Sequence, residues 1–251
     1  MLRDAMIMFR YQGRLFLRDP MWLAIVMSQP LFYMALFAPL LRPLVGTPGF
    51  PPGDPLQVFV PGLLIQLGIF GSLFVGFNVV FDIRNGTLER MQVTPASRFG
   101  LLLGRVLIDT LVVVLQSTLL IVVAVAFGLR VPLVGGLITL LIIVLLGIAL
   151  TAISYAAGLW IKNDQPLAQL LNTISLPLLL LSGILLPMTF APTWLLRLSQ
   201  VNPLSHVVDA TRAVFRGDYG DPAILTGVAC SVALAVAGLW IAERMFQRES
   251  G

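Results

Sequence analysis

Long apolar runs separated by short polar ones set the rhythm of this chain. Six of them approach or exceed the roughly 20 residues needed to cross about 30 Å of hydrocarbon: Trp22 to Leu41, Val58 to Phe81, Val106 to Phe127, Leu133 to Trp160, Leu167 to Met188 and Ala223 to Ala242. Each is expected to be a helix, because a segment in hydrocarbon must satisfy its own backbone. Ahead of them, residues 3–18 place Arg3, Arg10, Arg14 and Arg18 on one arc of a helical wheel and Ala5, Met8, Phe9, Leu15 and Phe16 on the other, with Ile7 and Gln12 as exceptions. Such a helix lies in the headgroup layer with its arginines toward phosphate. A cleavable signal peptide fits less well, since the apolar run resuming near Trp22 is too long and no plain cleavage site precedes it.

Composition gives the same answer. With 58% apolar and 11% charged residues in 251, and a mean hydropathy of +0.94, the chain departs far from soluble domains, where roughly a quarter of residues are charged. The expected fold is an all-α integral membrane protein, one transmembrane domain over residues 1–251. An even number of spans puts both termini on one side. The net charge of +4 does not suggest nucleic acid, because the basic residues are spread over short loops instead of one face. They read better as orientation signals: Arg42, Arg130, Arg197, Arg212 and Arg216 fall on one side and the other eleven on the opposite, cytoplasmic, side. Cys230 and His206 are each the only residue of their type, which removes an internal disulfide and most metal sites.

The largest charged island between two spans runs from Asp82 to Arg105 and carries Arg84, Arg90, Arg98 and Arg105. Within it Asn85 or Gly86 can start a helix, Glu89 sits in a first turn near the positive end of the dipole, and Pro95 forbids continuation past Thr94. The result is a helix of about two turns that presents Leu88, Met91 and Gln92 away from the membrane, a shape suited to another protein's groove.

Two small-residue stripes are visible, Gly68, Ser72 and Gly76 in the second span and Gly147, Thr151, Ser154 and Gly158 in the fourth. They allow close backbone approach, for either a seam between two copies of the bundle, a substrate path, or packing within one bundle. Asp109, four residues after Arg105, reads as an interfacial ion pair with it, or else as a proton relay or cation ligand. The turn Lys162-Asn163-Asp164-Gln165-Pro166 connects two spans on the island's side. On the other side Pro187, Pro192 and Pro203 interrupt apolar material too short to cross, the pattern of half-inserted segments. There Asn202 and Pro203 make a good helix start, and Asp209 and Arg212, three apart, can pair.

Phe59-Val60-Pro61-Gly62, Gly86-Thr87-Leu88-Glu89-Arg90, Thr94-Pro95-Ala96-Ser97, Leu103-Gly104-Arg105 and the run from Asn202 to Arg212 together resemble the permease subunits of type-2 ABC transporters, in the daunorubicin-resistance-type branch of drug and lipid exporters. Asp82 fills one of the two acidic places that many members carry ahead of the Gly-Thr pair, while Arg84 and Asn85 leave the other unfilled. The resemblance covers about residues 5–245. It implies that Gly86, Thr87, Leu88, Glu89, Arg90, Met91 and Pro95 form the coupling helix that docks on a cytoplasmic ATPase subunit. Two ATPase copies, a second permease, identical or similar, and surrounding membrane lipids are the implied partners. It also implies two short re-entrant helices between the fifth and sixth spans, with Asn202, Pro203, Asp209 and Arg212 in an outer-gate motif. The implied location is a bacterial cytoplasmic membrane, with both termini cytoplasmic.

No G-x-x-x-x-G-K-[ST] loop exists, and the only lysine, Lys162, follows no glycine loop. No cofactor is therefore expected in this chain; ATP and Mg would be bound by the partner. An apolar or amphipathic cargo, such as a drug, lipid or secondary metabolite, agrees with the composition. Two other readings compete. A secondary transporter or channel would need intramembrane charge, of which the spans offer little beyond Asp109. An intramembrane serine protease would need Ser182 and His206 as nucleophile and base.

Overall fold

The computed structural model describes residues 20–41, 43, 54–86, 98–185 and 188–248. Among them there is no strand. The helices are α1 Pro20–Leu41, α2 Pro55–Leu73, α3 Gly76–Arg84, α4 Arg98–Ala126, α5 Leu133–Ile161, α6 Asp164–Leu181, α7 Thr193–Val201, α8 Pro203–Arg216 and α9 Pro222–Arg248, with a 3-10 turn at Met188–Phe190. The expected interfacial helix over residues 3–18 lies outside the described residues.

Among the described residues, four stretches are long and apolar enough to cross a membrane: Pro55–Arg84, Leu102–Ala126, Leu133–Ile161 and Pro222–Gln247. They coincide with the second, third, fourth and sixth expected spans. The other two expected spans correspond to α1 and to α6. The latter has 18 residues and opens on Asp164 and Gln165.

Helix ends differ from the apolar runs where local chemistry intervenes. α2 begins before the apolar run because Asp54 caps it: its Oδ1 accepts from the Leu56 N–H at 2.8 Å, Gln57 Oε1 accepts from the Asp54 N–H, and Pro55 supplies a preset first turn. α4 starts at Arg98, eight residues ahead of the expected Val106, and its 29 residues reach about 44 Å, longer than a hydrocarbon core. α6 stops at Leu181, where Ser182 caps it and Gly183 turns the chain at φ +71°, a conformation open to glycine.

α5 is the central helix and packs against α9, α4, α2, α3 and α8. Three buried clusters surround it. One, with Phe59, Leu63, Val113, Leu120 and Phe215, lies between α2, α4 and α5. A second, with Ile69, Ile142, Leu146, Leu171 and Val207, joins α2, α5, α6 and α8. The third, with Val79, Val106, Tyr155 and Leu159, fills the end near the charged island.

Candidate functional site

The charged island is rooted in two helices, α3 entering and α4 leaving. α3 ends at Arg84, and Asn85 and Gly86 close it, with the Asn85 N–H bonded to the Phe81 carbonyl and Gly86 at φ +64°. Asn85 and Gly86 thus finish one helix. Thr87, Leu88, Glu89, Arg90, Met91 and Pro95, with the helix expected from them, lie outside the described residues.

The two roots are clamped to each other. Arg105 on α4 pairs with Asp82 on α3 at 2.5 Å, with both side chains largely buried at 8% and 16% exposure. Asp109, which the sequence offered as the partner of Arg105, lies within reach of the Arg105 charge as well. Asp109 accepts a 2.6 Å hydrogen bond from the Tyr155 hydroxyl on α5, and Tyr155 is fully buried. Spacing along the chain offered only the nearer carboxylate; the packing of α3 beside α4 adds one 23 positions back. The expected island-side turn also joins this site. Lys162 leaves α5 in the left-handed region at φ 54°, Asn163 caps α6, and Arg84 on α3 bonds both Asp164 and Asn163. Asp82, Arg84, Arg105 and Asp164 therefore tie α3, α4 and α6 together around the roots.

Above the clamp the second span is interrupted. Between α2 and α3 the helical ladder switches from four-residue to three-residue steps, with the Val75 N–H bonded to the Ser72 carbonyl and Asn78 N–H to Val75. The backbone groups freed by the break are taken by a side chain of α5: Ser154 Oγ accepts from the Gly76 N–H at 2.8 Å and donates to the Leu73 carbonyl. Close approach makes this possible. A Cβ on Gly76 would lie 2.5 Å from the Ser154 carbonyl oxygen, and one on Gly158 would lie 2.6 Å from the Gly76 carbonyl oxygen. Gly76, Ser154 and Gly158, from the two small-residue stripes, are consumed in packing α3 on α5 inside one bundle.

The opposite end of the bundle is organised by Arg212. α8 begins as expected, Asn202 Oδ1 accepting from the Leu204 N–H at 3.1 Å and Pro203 following, while Asn202 Nδ2 reaches the Leu178 carbonyl. Arg212 is 4% exposed. Its Nε donates to the Val58 carbonyl at 3.0 Å and its Nη2 to the Gly183 carbonyl at 2.7 Å. Asp209 is 3.8 Å away and 59% exposed, a long surface contact. The sequence offered the pair on one helix; the structure spends most of the guanidinium on backbone from two other segments. At the same place a Cβ on Gly62 would collide with the Ile184 carbonyl oxygen. Only a residue without a side chain lets α2 meet the turn that Arg212 holds.

The protease pair is not assembled. Ser182 donates to the Leu179 carbonyl at 2.8 Å, and His206 Nε2 contacts the Gln200 carbonyl at 2.9 Å, so each is engaged locally.

Comparison with known proteins gives the chain its place. The model of the ABC-2 type transporter family matches residues 3–215, which takes in the island and the Asn202 to Arg212 run. The chain is 30% identical over 200 residues to the "Putative transport permease ycf38" of Cyanophora paradoxa, covering 79% of this chain and 69% of that one. It is 24% identical over 203 residues to the daunorubicin resistance ABC transporter permease protein DrrB1 of Streptomyces coeruleorubidus, covering 80% and 71%. With four described stretches long and apolar enough to cross a membrane and a family match over most of its length, this multi-pass membrane protein belongs to the ABC-2 type transporter family, as a permease.

Proposed function

We propose that the chain is the membrane half of an ATP-driven exporter in a bacterial cytoplasmic membrane, with six spans and both termini inside. Two permeases face each other, and each docks a cytoplasmic ATPase subunit through Gly86, Thr87, Leu88, Glu89, Arg90 and Met91, with Pro95 ending the docking helix. ATP and Mg bind the partner. The cargo is hydrophobic or amphipathic, in keeping with the apolar composition and with the drug named for the Streptomyces relative.

The observation that carries this reading is the clamp at the roots of the island. A segment that receives force from a partner must pass it to the bundle, and a flexible attachment would dissipate it. The largely buried pair of Asp82 with Arg105 stiffens the attachment, and the exposed contact of Arg84 with Asp164 adds a weaker tie beside it. Ser154 then relays displacement of α3 to α5 across the break. At the other end Asn202, Pro203, Asp209 and Arg212 form the outer gate, where Arg212 holds α8 to α2 and to the turn after α6. The direct test is purification of the tagged chain with a soluble ATPase carrying a phosphate loop, followed by transport of a labelled lipophile into inverted vesicles. ATP-dependent uptake by the pair is expected, and transport by the chain alone would overturn the reading.

A further inference from the structure

We infer that the groove between α1 and the broken helix α2–α3 is a binding site for an uncharged, ring-bearing lipophile with a hydrogen-bond donor, and that Gln66 is the acceptor for that donor. The inference deepens the transport reading by naming a cargo class, and rests on it for that purpose only.

The groove encloses about 510 Å³, within the roughly 300–1,000 Å³ range of pockets for drug-sized molecules. Its polar lining consists of Gln29 on α1, Gln66 on α2 and Asn78 on α3, set among apolar residues, and none of its described lining residues is charged. An ionised group placed there would lose hydration with no opposite charge among the described lining residues to offset it, at a cost above that of a neutral one. Neutral molecules are therefore the ones that fit. Phe70 and Phe74 form one wall, stacked at 6.1 Å with their planes 14° apart, and offer a flat surface to another ring.

Gln66 supplies the polar recognition. Its side chain is 6% exposed, and its Oε1 has no hydrogen-bond partner among the described residues. A buried acceptor left unfilled costs about 1–3 kcal/mol. Ser175 and Thr211 avoid this by donating to the Leu171 and Val207 carbonyls of their own helices, whereas Gln66 Oε1, like the hydroxyls of Ser72, Thr110, Ser117, Thr139 and Thr151, has no partner among the described residues. Gln66 differs from those hydroxyls in lining the groove. Beneath the same wall, Gly71 omits a side chain: a Cβ there would stand 3.0 Å from Val113 Cγ2 and 3.6 Å from Oε1 of Gln116, a second buried carboxamide without a partner among the described residues. The wall also crosses the break, since Phe74 lies at it and Asn78 beyond it. Movement of α3 relative to α2 changes the groove's shape.

The test uses the full-length permease in phosphatidylcholine nanodiscs without nucleotide, and three probes sharing one ring system: 1-pyrenemethanol, 1-methylpyrene and 1-pyrenemethylamine. Binding is read as fluorescence retained in excess of protein-free discs. Pyrenemethanol is expected to bind about fivefold tighter than methylpyrene, the worth of one neutral hydrogen bond, and tighter than the cationic amine. Gln66→Leu should erase the alcohol's advantage, and Phe70→Ala, at the half-buried rim, should weaken both neutral probes. Equal retention of alcohol and methylpyrene by the unaltered chain overturns the inference, as does an advantage that survives Gln66→Leu. Equal retention of the amine overturns the assignment of a neutral ligand. The comparison of probes on the unaltered chain decides the matter even where a variant fails to fold. Because no ATP is present, failure here leaves the transport reading standing, and absence of ATP-driven transport leaves the binding result standing.

Discussion

Asp82 and Arg105 meet at 2.5 Å across the two ends of the segment expected to touch the ATPase. They stand 23 positions apart, on different helices, and both are largely removed from solvent. The clamp fixes the end of α3 to the start of α4, so under the proposed function a displacement imposed on the segment between them passes to both helices.

Breaking the clamp should cost stability and coupling together. Removing one partner of a buried pair leaves an uncompensated charge, worth about 3–5 kcal/mol, and partial exposure places Arg105→Gln near the low end. Asp82→Asn should behave similarly, and the double variant should lose less than the two single losses added. Denaturant unfolding of the purified permease in detergent checks this, and strictly additive losses would show that the two side chains act independently.

Ser154 and Gly76 should be sensitive for different reasons. Ser154→Ala leaves the Gly76 N–H and Leu73 carbonyl unsatisfied in an apolar bundle, a loss of roughly 2–4 kcal/mol, while Ser154→Thr retains the hydroxyl and should recover part of it. Gly76→Ala drives a methyl group against the Ser154 backbone and should lower folded yield by overpacking, about 1–3 kcal/mol. Gly136 has nothing within 4 Å of its would-be Cβ, and Gly136→Ala should be neutral or raise stability by up to about 1 kcal/mol. Size-exclusion profiles and melting temperatures of the four variants, compared side by side, give the ranking.

Arg212 and Asp209 make a further contrast. Arg212→Met strips the Val58 and Gly183 carbonyls of their donors and is expected to loosen the packing of α8, with a loss of about 2–4 kcal/mol. Asp209→Asn removes an exposed 3.8 Å contact and should change stability by less than about 1 kcal/mol. Hydrogen exchange over α8 reads both; protection lost equally in the two variants would mean that the ion pair, and not the carbonyl contacts, holds the helix.

Charge reversal at Glu89 should separate docking from folding. Glu89→Lys is expected to lower ATP-stimulated transport while membrane insertion stays normal, and substitution of Pro95 should weaken co-purification with the ATPase. Unchanged transport and an undiminished complex would remove these residues from the mechanism.

The sequence by itself determined the class of protein. Sustained apolar runs can only be satisfied in hydrocarbon as helices, and the local signals at Asn202 and Pro203 started α8 where the structure has it. Local chemistry is legible because its partners are near in the chain. Only the tertiary structure decided who meets whom: Arg105 takes Asp82 from a neighbouring helix; Arg212 takes the carbonyls of Val58 and Gly183 more than Asp209; and Ser154 repairs a break in a helix about 80 positions away. A glycine stripe announces that backbones can touch, but not which ones. That choice belongs to the packing of several helices at once, where close approach, burial and the need to satisfy every polar group are settled together.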